Sequence, residues 1–279
     1  MTAAPARKSD VFPLEVSSWS QLSDLIDHFS YFNGHDWLYR GATKVHYQLL
    51  PKIGRPVTRS EKYSYDADDE ASIIAMFKQQ AMPYLPSPPT KEIDWLAIAQ
   101  HYGLPTRFLD WTDSLLVAAW FAVEDNTDTT DGAIWVTRKI SAVQEKYFDK
   151  PFKLGNPASY RPPHISSRIG SQGSVLLVCP QPEEPLAPKF LRKIVIKEDA
   201  KFAIKKRLNA CGMNGRALFP DLPGLCSHLA WLYKHDWLSG YRKERNTSLA
   251  LMASTRPELA GLNDTHDTID EPEDQSSRD

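Results

Sequence analysis

The residues able to do chemistry in this 279-residue chain are concentrated in QHYGLPTRFLDWT, Gln100 to Thr112. Here Gln100, His101, Arg107, Asp110, Trp111 and Thr112 lie between two apolar segments. Polar groups in such a place must be paired or solvated. Two arrangements meet that demand. One is a structural Arg107–Asp110 ion pair buried under Trp111. The other is a polar pocket where a strand meets a helix N-terminus, with the amides of residues 113–116 facing an anion.

Tyr39-Arg40-Gly41 is a second candidate. An arginine at a strand end, followed by glycine, sets a planar donor fork beside accessible backbone, which suits a phosphate or carboxylate. A surface arginine beside a turn is the plainer alternative. The third is SRIGSQGSVLLV, Ser167 to Val178, where Gln172 precedes an apolar strand between Gly170 and Gly173. A loop entering a core strand is the plainer alternative.

Several familiar signatures are missing: the GxxxxGK[ST] phosphate loop, GxGxxG, GxSxG and HExxH. Cys226, His228 and His235 match no standard ligand spacing, so no metal is expected. Lys189 to Arg207 holds eight basic residues against Glu198 and Asp199. Its aromatics are Phe190 and Phe202, too few for a stacking platform. A solvated helix face and a nucleic-acid contact both remain open for it.

These motifs need elements to hold them. Leu22, Leu25, Ile26 and Phe29 mark a helix beginning near Trp19, capped by Ser17 or Ser18. Trp37 to Gly41 reads as a short strand. A helix over Asp68 to Met82 turns Ile73, Met76, Phe77 and Ala81 inward and ends at the Pro-rich PYLPSPPT. Another starts near Asp94 and stops at Gly103. Thr106 to Asp110 is a strand, and Asp113 caps an apolar helix, Ser114 to Val123. Strands follow at Gly132–Thr137, Ser174–Cys179 and Leu191–Ile196. Helices follow from Asp199 to about Cys211 and from about Pro223 to Leu238, the latter with Leu225, Leu229 and Leu232 inward. Regular strand–helix alternation is absent, so the expected class is α+β: one domain, with a mixed, mostly antiparallel sheet flanked by helices. The boundaries expected are a flexible lead-in over 1–18, the domain over 19–250 and an acidic, disordered tail over 251–279.

Composition suits a globular chain: hydrophobic residues make up 42% and charged residues 24%. The formal net charge of −2 hides an asymmetry. From Glu258 to Asp279 there are eight acidic residues and one basic residue, Arg278, which leaves the body at +5. A mildly basic body is compatible with a phosphate-bearing ligand. Three cysteines without a CxxC pair argue against a disulfide framework and for a cytoplasmic compartment. The start of the chain has no apolar signal region. The longest apolar run, Leu115 to Val123, is nine residues, so no membrane association is expected.

In order, WLYRG, AQHYGLPTRFLDWTDSLLVAAWFA, SRIGSQGSVLLV and ALFPDLPGL resemble the FRG domain family over about residues 19–240. The family is named for a Phe-Arg-Gly motif, which reads Tyr39-Arg40-Gly41 here. The resemblance implies no established substrate; members occur in bacteria and phages, in some contexts suggesting toxins or phage defence. More distantly the motifs resemble ADP-ribosyltransferases of the Arg–Ser–Glu type. That likeness implies NAD as co-substrate, with Arg40 and Gly41 at its phosphates and Arg107 and Thr112 also in its binding site. It makes Asp110, Gln172 and His101 the catalytic candidates. Two departures stand out: Asp110-Trp111-Thr112 replaces Ser-Thr-Ser, and Gln172 and Ser174 stand where a glutamate is usual. Asp110 is then the group left to supply the negative charge. The reading is an NAD-dependent transferase acting on a protein or nucleic-acid acceptor. Its alternative is a non-catalytic module that binds a nucleotide, a nucleic acid or a protein. Oligomeric state is not legible.

Overall fold

Side-chain alternation along seven short strands decides where the rest of the chain packs. A computed structural model describes residues 11–31, 36–55, 65–85, 87–124, 129–163 and 167–235. The strands are β1 (Glu15–Val16), β2 (Trp37–Ala42), β3 (Phe108–Thr112), β4 (Gly132–Arg138), β5 (Ala158–Tyr160), β6 (Ser174–Val178) and β7 (Leu191–Ile196). They form one sheet in the order β1-β7-β4-β2-β3-β6-β5. Every neighbouring pair is antiparallel except β1 and β7. The helices are α1 (Trp19–Tyr31), α2 (Ala67–Ala81), α3 (Glu92–His101), α4 (Leu115–Ala122), α5 (Ser167–Ser171), α6 (Glu198–Ala210), α7 (Gly215–Leu218) and α8 (Leu222–Lys234). The class is α+β with a mixed, mostly antiparallel sheet.

Contacts divide the chain into Met1–Cys226 and Ser227–Asp279. The whole sheet belongs to the first unit. The described part of the second is the later portion of α8 and His235.

Residues two apart on a strand share a face. On one face, Trp37, Tyr39, Ile134, Val136, Ile194 and Ile196 pack with buried residues of α1, α4 and α6. Further along that face, Phe108, Leu176 and Val178 pack with α2 and α3. On the other face, Leu38, Leu109, Trp111, Val175 and Leu177 pack with Leu49 and Leu186 from loops. The two helical groups cover different strands, and Asp110 and Thr112 fall on the face between them.

Several boundaries differ from expectation for visible reasons. The sheet starts before Trp19, because β1 pairs with the edge of β7. The strand expected over Thr106–Asp110 runs instead from Phe108 to Thr112. Thr106 Oγ1 accepts from the Phe108 amide at 3.2 Å and donates to Gln100 Oε1 at 2.8 Å, a local side-chain bond that competes with the ladder. Ser114, not Asp113, caps α4: its Oγ accepts from the Val117 amide at 3.3 Å. Asp113 pairs with Arg161 instead, at 3.0 Å. On α2 the buried face carries Glu70, Ile74 and Ala81, while Met76 is 56% exposed. Leu229, expected inward on α8, is 47% exposed. Residues 236–238 and the tail over 251–279 lie outside the described residues.

Candidate functional site: a cleft between two helical groups

A cavity of about 350 Å³ lies over β2, β3 and β6, on the face where the two helical groups part. Its volume falls in the range of small-molecule sites, roughly 300–1,000 Å³. The opening follows from the sheet. β2 pairs with β4 at six positions but with β3 only at Tyr39↔Thr112. Beyond Tyr39 the two strands no longer pair, and the side chain of Arg40 enters the gap.

The wall from α3 is Ala97, Gln100 and His101, at i, i+3 and i+4 on one helix face. The wall from α4 is Val117 and Phe121, also one turn apart. The floor carries Asp110 and Thr112 from β3 and Ser174 and Leu176 from β6. Arg168, Gln172 and Phe219 close the far side. Arg40, Gly41, His101, Asp110, Thr112 and Gln172 therefore line one cavity, while Arg107 does not.

Asp110 presents a carboxylate to this cleft, its side chain 61% exposed. Gln100 Nε2 donates to its Oδ2 at 2.9 Å. Arg40 Nη1 lies 3.9 Å from the same oxygen and also donates to the Asp110 backbone carbonyl. The Arg40 side chain is 20% exposed. Burial holds the Arg40 guanidinium below the usual arginine range, against the pull of Asp110 in the other direction. Such a donor is short of counter-charge.

His101 rests edge-on to Tyr102, with ring centroids 5.0 Å apart. Burial, and Arg168 after it, hold the imidazole below its ordinary value, opposed by Asp110 and Asp221. It is therefore neutral at pH 7.

Arg107 is the clear correction. It does not line this cleft, nor does it pair with Asp110. Residues 107 and 110 are three apart, so extended backbone sends them to opposite faces. Arg107 instead meets Glu70 of α2: Nη2 to Oε2 is 2.7 Å, and Nε lies 3.2 Å from both carboxylate oxygens. Tyr65 accepts from Arg107 Nη2 and donates to Glu70 Oε2, both at 2.8 Å. The two charged side chains are 3% and 0% exposed. The guanidinium also lies 4.5 Å from the Phe152 ring centroid. This network joins α2 to β3.

Gly41, Thr112 and Gln172 reach the cleft but carry structural duties. A Cβ on Gly41 would lie 2.0 Å from the Ala118 carbonyl oxygen, so glycine is what lets α4 approach β2. Thr112 Oγ1 donates to the Gln172 carbonyl at 2.7 Å and accepts from the Ser114 amide at 3.1 Å. Gln172 Nε2 donates to the Leu218 carbonyl at 3.0 Å, so its amide is already engaged. The α4 N-terminus differs from expectation too. The amide of Asp113 is taken by Gly173, that of Ser114 by Thr112 and that of Val117 by Ser114.

Arg168 was missed by motif reading. Its Nε donates to Asp221 Oδ2, and its guanidinium lies 5.1 Å from the Phe219 ring centroid. Asp221 also accepts from the Gly224 amide at 2.9 Å. The hydrogen bond from Arg168, then that amide, keep the Asp221 carboxyl below its usual value. An arginine two residues ahead of Gly170 was the available signal, looser than the adjacent Arg40-Gly41.

The basic run over Lys189–Arg207 is largely tied down. Lys193 donates to the Val45 carbonyl at 2.9 Å and Lys201, 1% exposed, to the Thr43 carbonyl at 2.8 Å. Lys205 donates to the Glu124 carbonyl just past α4, and Lys197 pairs with Asp131 at 2.7 Å. Three of the eight cations, Lys193, Lys201 and Lys205, therefore tie to backbone carbonyls of other segments, while Lys197 forms a partly exposed ion pair. No described helix is long and apolar enough to cross a membrane.

No curated protein and no solved structure matches the chain. Residues 35–131, the stretch from the approach to β2 to the residue before β4, match the family model described as the FRG domain.

Proposed function

We propose that the cleft binds NAD and transfers its ADP-ribosyl group, with Asp110 supplying the negative charge that a glutamate provides in similar enzymes. The single observation that carries this reading is the exposed Asp110 carboxylate, fixed by Gln100 and Arg40 in a cleft that also holds Arg168 and a neutral His101. Asp110 would stabilise the cation that develops at ribose C1′ as the bond to the nicotinamide nitrogen breaks. The bonding electron pair leaves with nicotinamide. The acceptor forms the new bond to C1′ and gives its proton to neutral His101. Arg40 holds the phosphates. The acceptor is a protein or nucleic-acid group, and the ADP-ribosyltransferase-like reading of the fold belongs to the same proposal. The family resemblance extends it to a toxin or phage-defence role.

The test is nicotinamide release from NAD, with and without Arg40→Ala. Release that falls at least tenfold in the variant is expected (about 1.4 kcal/mol). Absence of release across a panel of protein and nucleic-acid acceptors would overturn the transfer step. One observation favours a non-catalytic binding module instead: Gln172, at the position of the usual glutamate, is neutral and engaged with Leu218. Tight nucleotide binding without turnover is the result that reading predicts.

A further inference from the structure

A second cavity, of about 550 Å³, lies on the other side of Arg40. Arg40, Gly41 and Phe121 line both cavities, so the two meet at that point of β2. The second is built from the segment after β2, including Tyr47 and Arg55, with Trp135 of β4. The first cleft uses none of these three. A ligand confined to the first cleft leaves them without a purpose.

The second cavity has the parts of a nucleotide site. Arg55 Nε donates to the Leu50 carbonyl at 3.1 Å, which fixes the side chain. Its terminal nitrogens find no hydrogen-bond partner among the described residues. Arg40 spends Nη1 on Asp110 and keeps its other nitrogens available. Burial first and then Arg55 depress the Arg40 guanidinium, so the two cations sense one another. Like charges held together in a cavity are relieved by an anion between them. Glu124 and His46 stand at the same lining. An aromatic surface is also present. Tyr47 is 47% exposed and braced edge-on by His46 at 5.1 Å. Trp135 is less free, because Lys193 Nζ sits 4.4 Å from its ring centroid.

We propose that the second cavity is a subsite for the adenosine diphosphate portion of a dinucleotide, with its phosphates between Arg40 and Arg55 and its base against Tyr47. The inference rests on the NAD reading of the first cleft and deepens it. The reacting nicotinamide ribose faces Asp110 in one cavity, and the distal nucleoside occupies the other.

The experiment is calorimetry on the full chain with ADP and, separately, nicotinamide riboside. It compares the unmodified protein with Arg55→Ala and Tyr47→Ala, both exposed positions, after circular dichroism has confirmed folding. Each variant is expected to weaken ADP about tenfold or more while nicotinamide riboside affinity stays within about twofold. ADP affinity unchanged in both variants, equal losses for the two ligands, or no ADP binding to the unmodified protein would each overturn the subsite. Failure of the two proposals is distinguishable. Arg55-dependent ADP binding without nicotinamide release removes only the transfer step. Nicotinamide release with ADP affinity indifferent to Arg55 removes only the subsite.

Discussion

Arg40 and Asp110 meet twice. The guanidinium donates to the Asp110 backbone carbonyl, and Nη1 lies 3.9 Å from the carboxylate oxygen Oδ2. The first contact spans the gap where β2 and β3 cease to pair. The second sets a cation beside an exposed carboxylate. One residue pair thus both holds the cleft open and gives it opposite charges on neighbouring walls.

The Arg107–Glu70 pair carries a stability prediction rather than a functional one. Removing one partner of a buried pair leaves an uncompensated charge and costs about 3–5 kcal/mol. Arg107→Gln is expected to unfold at much lower denaturant, with nucleotide affinity of the folded fraction retained. Denaturant titration beside calorimetry checks both halves. A variant of undiminished stability that loses nucleotide binding would return Arg107 to the binding residues.

Gly41→Ala is expected to destabilise the fold by about 1–3 kcal/mol or more, because the new methyl meets the backbone of α4. Only a shift of α4 could relieve a contact of 2.0 Å to the Ala118 carbonyl. Thermal unfolding of the variant measures the cost, and an unchanged midpoint would contradict the packing described.

These two positions show what motif reading could and could not see. Glycine after arginine suggested accessible backbone; in three dimensions it marks the close approach of α4. Arg107 and Asp110 looked like a pair because they are near in sequence, whereas Glu70 lies 37 residues away and nothing local announces it. Lys201 and Lys205 looked like surface charge, yet helix geometry aims them at the carbonyls of Thr43 and Glu124. What was legible came from local pattern: the strand Leu191–Ile196, the helix before Gly212, and the gathering of Arg40, His101, Asp110 and Gln172. What was not legible was long-range pairing, which burial imposes and spacing does not encode.

Gln172→Glu separates a structural amide from a degenerate catalytic position. A carboxylate there faces the Leu218 carbonyl oxygen without a proton to share. The substitution is expected to cost about 1–3 kcal/mol and to leave nicotinamide release no higher. A marked rise in release would show that the missing glutamate, and not Asp110, limits the chemistry.

The cysteines offer a pH test of the core. Cys179 is buried, and burial pushes its thiol up to about 12, while Cys211 and Cys226 are exposed. At pH 8, iodoacetamide is expected to label two thiols in the native protein and three in denaturant. The unfolded thiol loses its proton near the ordinary value of about 8.5. The folded state keeps that proton until about 12, so stability is expected to fall as pH rises between these values. Three thiols labelled rapidly in the native protein would contradict the buried position.

The most direct measurement of the central claim compares Asp110→Asn with the unmodified protein for both NAD affinity and nicotinamide release. Asparagine keeps the shape and can still accept from Gln100, but it removes the charge. The expected result is NAD affinity within about threefold and release lowered about 100-fold or more, the scale for losing one electrostatic contact to a transition state. Release unchanged in the variant would contradict the assignment of Asp110, and with it the account of this cleft as a site of ADP-ribosyl transfer.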